Sequence, residues 1–339
     1  MDKSEVKIGY CGFAGFGAYC DDIIYYAIKQ TFDKLVDAKW INLSKDITPA
    51  KHCDLVIVGG GSLIGAGTHK PLLNLFSFFN KPGKLVVFGT GMRMRETILS
   101  KKISKINVPM NETEKRFLVK LFKKAKVKFV RGKLSEEKLK ELKIEVEGVG
   151  DPVFLLEPVK ISKVNELACV IRNIPKTDID TNTDLGAVHK WIADFLKKNK
   201  MKCSFLSWVG WKNYHDNDYY IGRAISDLYF NSEIPVFRFN DCVSAMNHLA
   251  THKYLVSMRL HAYLLGLING LKAFGIQMQF RKFEDAVSVF GRQYDKFGVI
   301  VPDLYGDIPE FDFSKLVKPN IDNVRRELIK RAEEVVALL

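Results

Sequence analysis

The sequence predicts an α/β protein made of two doubly wound parallel-sheet domains that face each other across a cleft. Short apolar runs alternate with amphipathic helical patterns along most of the chain, which is the pattern of parallel strands covered by helices on both faces. The 339 residues also exceed the size at which a single hydrophobic core stops growing. In open sheets of this kind, ligands bind outside the carboxyl ends of the strands.

The first domain is predicted over residues 1–158. A helix over residues 21–35 follows its first strand, with Asp21 or Asp22 as the helix cap. Four apolar residues recur on one face of that helix, at Ile24, Ile28, Phe32 and Leu35. The predicted strands cover residues 6–12, 54–61, 84–91, 128–132 and 146–150.

The second domain, predicted over residues 159–339, repeats the alternation after a linker within residues 157–165. Its helical patterns include residues 185–199 and a terminal helix over residues 323–339. The predicted strands cover residues 167–173, 202–210, 235–239, 253–258 and 272–278. We expect the first domain to bind an acceptor and the second domain to bind a donor.

The bulk composition excludes several classes of protein. Hydrophobic residues make up 47% of the chain and charged residues 27%, which is the balance of an ordinary globular protein. No apolar run reaches the roughly 18 residues of a membrane span, and the start of the sequence has no apolar signal segment. The six cysteines stand singly, without the spacing of a zinc site or a disulfide framework. These features predict a cytoplasmic protein with reduced thiols.

The net charge of +13 favours anionic partners. Lysines dominate this excess, for example within residues 120–129, and no nucleic-acid-binding motif accompanies them. A solvated lysine-rich surface is the simplest interpretation, and we expect no nucleic-acid partner. Peripheral contact with an anionic membrane is a further hypothesis.

Three glycine-rich turns follow predicted strands of the first domain, within residues 9–22, 59–65 and 89–94. None of them matches the dinucleotide fingerprint or the P-loop. In the second turn, the main chain of Gly60, Gly61 and Ser62 can approach an anion closely, or can simply pack a helix against its strand. Ser62 lacks the G-x-S-x-G context of a hydrolase nucleophile. Three such turns at one sheet edge favour a rim that faces a ligand.

Arg259 and His261 stand where a predicted strand of the second domain meets an apolar helix expected from Ala262 onward. In an extended segment, side chains two residues apart point to the same side, and the helix N-terminus adds positive charge. The pair therefore predicts an anion site with a group that can transfer a proton near neutral pH. The structural alternative is that Arg259 pairs with a carboxylate and His261 with a carbonyl.

Two further arginines follow predicted strands in the same way. Arg131 is either a second guanidinium at the cleft or a surface arginine, and Arg172 is a weaker candidate of the same kind. The other histidines lack metal-ligand spacing, so we interpret them as structural or surface residues and expect no metal. They are His52, His69, His189, His215, His248 and His252.

The sequence blocks that contain these candidates resemble the polysaccharide pyruvyl transferase family. The blocks are DLVIVGGGSLIG, then FVRGKLSEEKLKEL with GVGDPVFLLEP, then SMRLHAYLLGLINGLKAFGI with FRKFED. They follow the family's order over residues 9–285, and the MRLHA and DPVFLLEP blocks are the specific ones.

The resemblance implies two Rossmann-like domains arranged as in the GT-B glycosyltransferases. It also implies transfer of the enolpyruvyl group of phosphoenolpyruvate onto a sugar, usually as a cyclic ketal, with release of phosphate and no cofactor. The positions of this chain that match functional residues of the family are Asp21, Arg131, Arg259, the main chain at Leu260, and His261. In the family, the arginines and the histidine of these blocks contact phosphoenolpyruvate.

The residue types suit that chemistry. Planar guanidinium groups match both phosphate and carboxylate, and ketal formation requires a proton on the methylene carbon of the donor. His261 is the expected general acid and a candidate base, while Asp21 would orient or deprotonate the acceptor across the cleft. The chain departs from the family's Asn-x-Gly-Asp turn, since it reads Ala18-Tyr19-Cys20-Asp21, and Gly132 stands where the family often has aspartate.

Two alternative functions stay open from the sequence. A GT-B-like glycosyltransferase would bind a nucleotide sugar, with Glu284 or Asp285 on its ribose. A catalytically inert relative would bind a glycan or anion without turnover, an alternative that the altered turn before Asp21 motivates. For the transferase, the acceptor is a finished polymer, a terminal sugar or a lipid-linked saccharide, the last of which suits a location at the cytoplasmic membrane face.

Overall fold

The computed structural model describes residues 5–65, 70–100, 102–107, 110–172, 185–209, 218–278, 281–302, 308 and 312–339. In chain order its first strands are β1 (Val6–Cys11), β2 (Ala38–Asn42), β3 (Leu55–Gly59), β4 (Ile64–Gly65), β5 (Leu85–Thr90), β6 (Met92–Arg93), β7 (Arg95–Ser100), β8 (Lys102–Asn107), β9 (Val127–Val130) and β10 (Glu147–Gly148). The later strands are β11 (Val164–Val170), β12 (Cys203–Leu206), β13 (Val236–Phe237), β14 (His252–Ser257), β15 (Lys272–Ile276) and β16 (Val299–Ile300).

The α-helices are α1 (Tyr19–Phe32), α2 (Lys70–Leu73), α3 (Leu75–Phe78), α4 (Glu112–Lys124), α5 (Lys133–Glu141), α6 (Leu185–Asn199), α7 (Asp218–Phe230), α8 (Cys242–Ala250), α9 (Leu260–Ile268), α10 (Lys282–Val287) and α11 (Ile321–Val336). Short 3₁₀ helices add Thr48–His52, Pro152–Leu155, Tyr294–Phe297 and Phe313–Lys315. In the part of the chain that the structure describes, no helix combines the length and apolarity that a bilayer crossing requires.

Two six-stranded parallel sheets form the centre of the molecule, as the sequence predicted. The first sheet has the order β10-β9-β5-β3-β1-β2, and the second has the order β13-β12-β11-β14-β15-β16. Their central strands are continuous apolar runs, such as the fully buried Leu55–Gly59, because helices cover both faces. The order reverses at β1 and β3 in the first sheet, and at β11 and β14 in the second, so ligands are expected at the carboxyl ends of these strands.

The two halves of the chain pack directly against each other. One continuous apolar cluster contains Ile24 of α1 and Phe154 from the first half, together with Leu260 of α9 from the second. The amide of Tyr19 also donates to the carbonyl of Trp208 at 3.2 Å. These contacts hold the carboxyl ends of both sheets close together.

The terminal helix α11 returns to the first half of the chain. Arg325 is buried and donates through Nε to the carbonyl of Phe154 at 3.1 Å and through Nη2 to that of Leu156 at 2.7 Å. The predicted domain boundary between residues 158 and 159 lies in an irregular connection that precedes β11, and it stays a prediction. The terminal helix, although it follows the second sheet in sequence, packs on the first half.

Several predicted boundaries were wrong. Helix α1 begins at Tyr19 with Ala18 as N-cap, so Asp21 and Asp22 lie in its first turn, where carboxylates favour the helix dipole, and neither caps it. The helix ends at Phe32, so Leu35 lies beyond it and is exposed.

The helix after β14 also begins earlier than predicted. It starts at Leu260, and Arg259 is its N-cap residue. The same-side argument for Arg259 and His261 assumed an extended segment, and it fails because His261 already lies in the helix. Strands β2 and β16 were not predicted, since one is a half-exposed edge strand and the other spans only two residues.

Candidate active site

The second glycine turn follows β3 and packs against α1. Gly60 and Gly61 have φ angles of +68° and +58°, and a Cβ on Gly60 would lie 2.1 Å from Cγ2 of Ile24. Glycine is therefore required for both the backbone conformation and the close approach. The turn after β5 is tied to it, because the amide of Gly91 donates to the carbonyl of Gly61 at 2.7 Å. Ser62 is buried, and its Oγ has no hydrogen-bond partner among the described residues.

Asp21 lies beside this turn, since a Cβ on Gly61 would be 3.3 Å from its Oδ1. Burial raises the pKa of Asp21, and the positive charges of His261, Lys282 and Arg259 oppose that rise. Asp21 belongs to the first half of the chain and those three residues to the second. The structure therefore brings Asp21 and His261 into one site between the two sheets.

His261 is 4% exposed, and its Nε2 lies 3.3 Å from Oδ2 of Asp151. Burial lowers the pKa of His261, but the carboxylate of Asp151, with help from the thiol of Cys20, outweighs burial and raises it to about 10. The ring is therefore an imidazolium near neutral pH. Its Nδ1 is buried without a hydrogen-bond partner in the described part of the chain.

Arg259 forms a two-pronged pair inside the second half of the chain. Its Nε and Nη2 donate to Oδ2 and Oδ1 of Asp218 at 3.1 Å and 2.6 Å. Oδ2 of Asp218 also accepts from the amide of Trp208 at 3.0 Å. The arginine is 5% exposed, so this pair matches the structural alternative for Arg259. The role of Arg259 and of the Leu260 main chain in donor binding stays a prediction.

Arg131 spans the two halves of the chain. Its Nε donates to Oδ2 of Asp285 in α10 at 3.2 Å, and that carboxylate also accepts from the amide and the hydroxyl of Ser135. Arg131 is 1% exposed, and its Nη2 also lies 3.2 Å from Oδ2 of Asp285, which makes an ion pair although the geometry is not that of a hydrogen bond. A Cβ on Gly91 would lie 2.3 Å from that Nη2, so glycine is required where the guanidinium passes the third turn.

Lys282 lies at the start of α10, among several arginines. Burial lowers its pKa to about 7, and the charges of Arg172, Arg93 and Arg131 lower it further, whereas Asp21 opposes them. Burial is the largest cause of the lowered pKa, and the three arginines that add to it give this part of the site a local excess of positive charge. Such an excess is what a site for a multiply charged anion provides.

Two polar atoms of the predicted site residues, Ser62 Oγ and His261 Nδ1, are buried without hydrogen-bond partners in the described chain, and a third, Arg131 Nη2, has only its ion pair with Asp285. Buried polar groups are usually satisfied, so unsatisfied ones need a reason. A bound ligand with several acceptor oxygens would supply partners for all three. The arrangement can bind an anion and transfer a proton to it.

Sequence reasoning missed Lys282 and the three carboxylates Asp151, Asp218 and Asp285 as site residues. Asp151 had a signal, because it follows the predicted strand over residues 146–150 as Arg131 follows its own strand. Asp285 was considered only as a ribose ligand, together with Glu284. In the structure both carboxylates accept hydrogen bonds from protein groups instead. Asp285 accepts from Arg131 and Ser135, and Glu284 accepts from Gln277 and Arg281.

The remaining histidines of the described ranges are engaged elsewhere or exposed. His252 contacts Ser204 at 3.1 Å, His189 contacts the carbonyl of Arg172 at 3.1 Å, and the ring of His248 packs on Phe237. His69 and His215 lie outside the described residues. Within the described ranges, no three histidine, cysteine or acidic side chains converge as metal ligands would.

The fold defines the class of protein to which this chain belongs. The UDP-GlcNAc 2-epimerase of Methanocaldococcus jannaschii, solved with UDP-GlcNAc and UDP, has a TM-score of 0.53 at 10% identity over 98% of both chains. A putative UDP-N-acetylglucosamine 2-epimerase from Listeria monocytogenes has a TM-score of 0.52 at 10% identity over 98% of this chain and 91% of that chain. At such low identity the likeness concerns the fold alone, and it confirms the GT-B-like prediction.

Within that class, the chain belongs to the polysaccharide pyruvyl transferase family. The family's sequence model, described as Polysaccharide pyruvyl transferase, matches residues 20–278. The match confirms the resemblance seen in the sequence blocks and supports a glycan-modifying transferase. Among curated proteins, none matches this chain.

Proposed function

We propose that this protein transfers the enolpyruvyl group of phosphoenolpyruvate onto a sugar, forming a pyruvate ketal and releasing phosphate. The observation that carries the proposal is a set of buried polar atoms that still have capacity for a ligand, in a site that also contains Lys282. Ser62 Oγ and His261 Nδ1 have no hydrogen-bond partner among the described residues, and Arg131 Nη2 has only its ion pair with Asp285. Phosphoenolpyruvate offers a phosphate and a carboxylate, which together supply the acceptors that these groups lack.

His261 is the proposed acid. Its Nε2 is held by Asp151, so Nδ1 is the nitrogen left to donate a proton to the methylene carbon of the donor. The raised pKa of His261 keeps that proton in place near neutral pH, which favours the acid role at the first step. Protonation converts the central carbon into an oxocarbenium-like centre that a sugar hydroxyl attacks.

Asp21 is the proposed base for the acceptor. Burial raises its pKa, which makes the carboxylate a better proton acceptor than an exposed aspartate. Two hydroxyls add to the central carbon, and the bond between that carbon and the phosphate oxygen breaks. Of the two hydroxyl protons, one restores His261 and the other leaves on phosphate, so the enzyme returns to its starting state.

A phosphate-release screen with phosphoenolpyruvate over a panel of hexoses, hexosamines and lipid-linked saccharides tests this proposal. We expect release that depends on one class of acceptor. Absence of release with every acceptor, together with no thermal stabilisation by phosphoenolpyruvate, would favour the inert relative.

A nucleotide-sugar transferase is the second candidate, because the fold matches a protein solved with UDP-GlcNAc and UDP. Thermal stabilisation by UDP- or GDP-sugars, and not by phosphoenolpyruvate, would establish it. Glu284 and Asp285, the two carboxylates considered as ribose ligands, accept hydrogen bonds from protein groups instead, which weighs against this candidate.

We further propose that the protein works in the cytoplasm, at the face of an anionic membrane that carries a lipid-linked acceptor. The net charge of +13 supports this location. Co-sedimentation with vesicles that contain anionic lipid, lost as salt is raised, is the expected result. Equal pelleting with neutral vesicles would exclude an electrostatic contact.

A further inference from the structure

The proposed reaction does not use the first glycine-rich turn, residues 12–17 between β1 and α1. Its sequence, GFAGFG, places two phenylalanines among glycines, and Gly15 has a φ angle of +82°, which favours glycine. The amide of Gly15 donates to Oδ1 of Asp22 at 2.7 Å, and the carbonyl of Ala14 accepts from Nδ2 of Asn42 at 3.2 Å. The turn is therefore held both by α1 and by β2.

Phe13 of this turn lies beside the proposed base. A Cβ on Gly61 would be 3.3 Å from Oδ1 of Asp21 and 3.3 Å from Cδ2 of Phe13, so the carboxylate and the ring flank the same glycine. Phe13 packs against the apolar cluster that contains Leu63 and Met92, yet it is only half-buried. An aromatic residue that stays partly accessible to solvent therefore adjoins the carboxylate.

Phe16 contacts Phe13 and enlarges this aromatic surface. The two ring centroids are 6.4 Å apart and the ring planes meet at 69°, which is an edge-to-face arrangement. Phe16 is half-buried as well. Cζ of Arg93 lies 5.8 Å from the centroid of the Phe13 ring, and Nζ of Lys45 lies 5.3 Å from that of the Phe16 ring. Both cations are within the range of cation–π attraction and help to hold Phe13 and Phe16, which we call the aromatic pair.

The chemistry of the aromatic pair fits a sugar better than it fits the donor. A hexose ring presents C–H groups on its faces, which pack on aromatic rings, and hydroxyls around its rim, which donate to carboxylates. The face of an aromatic ring carries negative charge, so it does not attract the phosphate or the carboxylate of phosphoenolpyruvate. Of the two substrates, the neutral acceptor is therefore the one that an aromatic ring beside Asp21 would bind.

We propose that Phe13 and Phe16 form the acceptor subsite, where the C–H face of a saccharide lies on the aromatic pair and its hydroxyls face Asp21. Phe13, beside the carboxylate, contacts the sugar that receives the pyruvate, and Phe16 contacts the next sugar unit. The acceptor is thus a saccharide of two or more units and not a free monosaccharide. The assignment of this ligand as the acceptor rests on the proposed function, whereas the binding of a saccharide does not.

Saccharide binding to the full chain tests the subsite without any need for turnover. Saturation-transfer difference NMR compares two monosaccharides, methyl β-galactoside and N-acetylglucosamine, with two disaccharides, lactose and chitobiose. We expect at least one disaccharide to bind more tightly than either monosaccharide, because it contacts both rings. We also expect the strongest saturation on ring C–H protons of the sugar, because these protons lie on the aromatic pair.

Substitutions of Phe13 measure what the aromatic face contributes. Phe13→Leu keeps an apolar side chain without that face, so it should weaken disaccharide binding by about three- to tenfold, whereas Phe13→Tyr should bind like the wild type. The matched control is Phe76→Leu in α3, which should also bind like the wild type. Phe76 is half-buried, its ring centroid is 5.7 Å from that of Phe117, and Nζ of Lys120 lies 4.5 Å from it.

Kinetics separate this inference from the proposed function. Phosphate release with an acceptor KM that is unchanged in Phe13→Leu would overturn the subsite and keep the transferase. Saccharide binding that depends on Phe13, without phosphate release from phosphoenolpyruvate, would keep the subsite and count against the transferase. Equal binding by Phe13→Leu and the wild type, or no binding of any of the four probes to the wild type, would also overturn the subsite. If Phe13→Leu does not fold, Phe16→Leu takes its place with the same expectation.

Discussion

Two buried arginine–carboxylate pairs hold this site together, and they differ in what they join. Arg259 and Asp218 both belong to the second half of the chain and form a two-pronged pair at the start of α9. Arg131 and Asp285 come from opposite halves, and Nε and Nη2 of Arg131 both approach one carboxylate oxygen, Oδ2 of Asp285, at 3.2 Å. The first pair uses both carboxylate oxygens and lies at a helix start within one half, whereas the second pair joins the halves through a single carboxylate oxygen.

The difference between the two pairs indicates that Arg131 and Arg259 share a sequence context but not a role. Both follow a strand, and both were predicted to bind the donor. A bidentate pair fixes the orientation of the Arg259 guanidinium more fully than a contact with one oxygen fixes that of Arg131, so Arg131 can adjust more readily to a ligand. We therefore expect Arg131 to bear more of the donor binding and Arg259 more of the local stability. The following predictions test that division around His261.

The largest expected effect is on turnover when the proton donor is removed. His261→Ala should lower phosphate release by roughly 10²–10⁴-fold, because general acid catalysis contributes about that much. The matched control is His252→Gln, a buried histidine at the other end of β14, which should keep the rate near that of the wild type. A near-normal rate for folded His261→Ala would remove His261 from the mechanism.

The next largest effect concerns the pair that joins the halves. Arg131→Met leaves the carboxylate of Asp285 buried without its cation, and it should lower the free energy of unfolding by about 3–5 kcal/mol. Denaturation in urea measures this change. The double variant Arg131→Met/Asp285→Asn should recover much of the stability but not the donor binding. Full stability in the single variant would show that the pair contributes nothing to the free energy of unfolding.

A smaller effect is expected at the other pair. Arg259→Lys replaces two hydrogen bonds to Asp218 by a point charge, and it should cost about 1–3 kcal/mol of unfolding free energy. Its KM for phosphoenolpyruvate should rise less than that of Arg131→Lys. The reverse order of KM values would assign the main donor contact to Arg259 and contradict the division proposed here.

The smallest effect is on pH dependence. Since the pKa of Lys282 is lowered to about 7, its positive charge is present below that pH and is lost as pH rises. Donor affinity should therefore weaken by about tenfold or less between about pH 6 and pH 8.5, while His261 stays charged. The variant Lys282→Arg keeps its positive charge over this whole pH range. Because the donor titrates equally with both proteins, the difference between their affinity–pH profiles reports the titration of Lys282 alone. Parallel pH profiles would exclude Lys282 from the donor site.

Much of the fold could be predicted because its signals are local. Apolar runs such as Leu55–Gly59 and the helical pattern of Leu185–Asn199 appear within single windows of sequence, and both elements formed where they were expected. Edge strands and helix starts were less predictable. Ala38–Asn42 is half exposed, and α9 starts at Leu260 after a turn in which the amide of Arg259 donates to Oγ of Ser257, a local bond that no periodicity reveals.

The sequence by itself determined two parallel sheets, the glycine turns at their edge and the family to which the chain is similar. Only the tertiary structure decided which carboxylate each basic group meets, since His261 and Asp151 are 110 residues apart and Arg131 and Asp285 are 154 apart. Pairs at such separations leave no trace in local spacing, because the packing of the two sheets, and not the chain between the partners, brings them together.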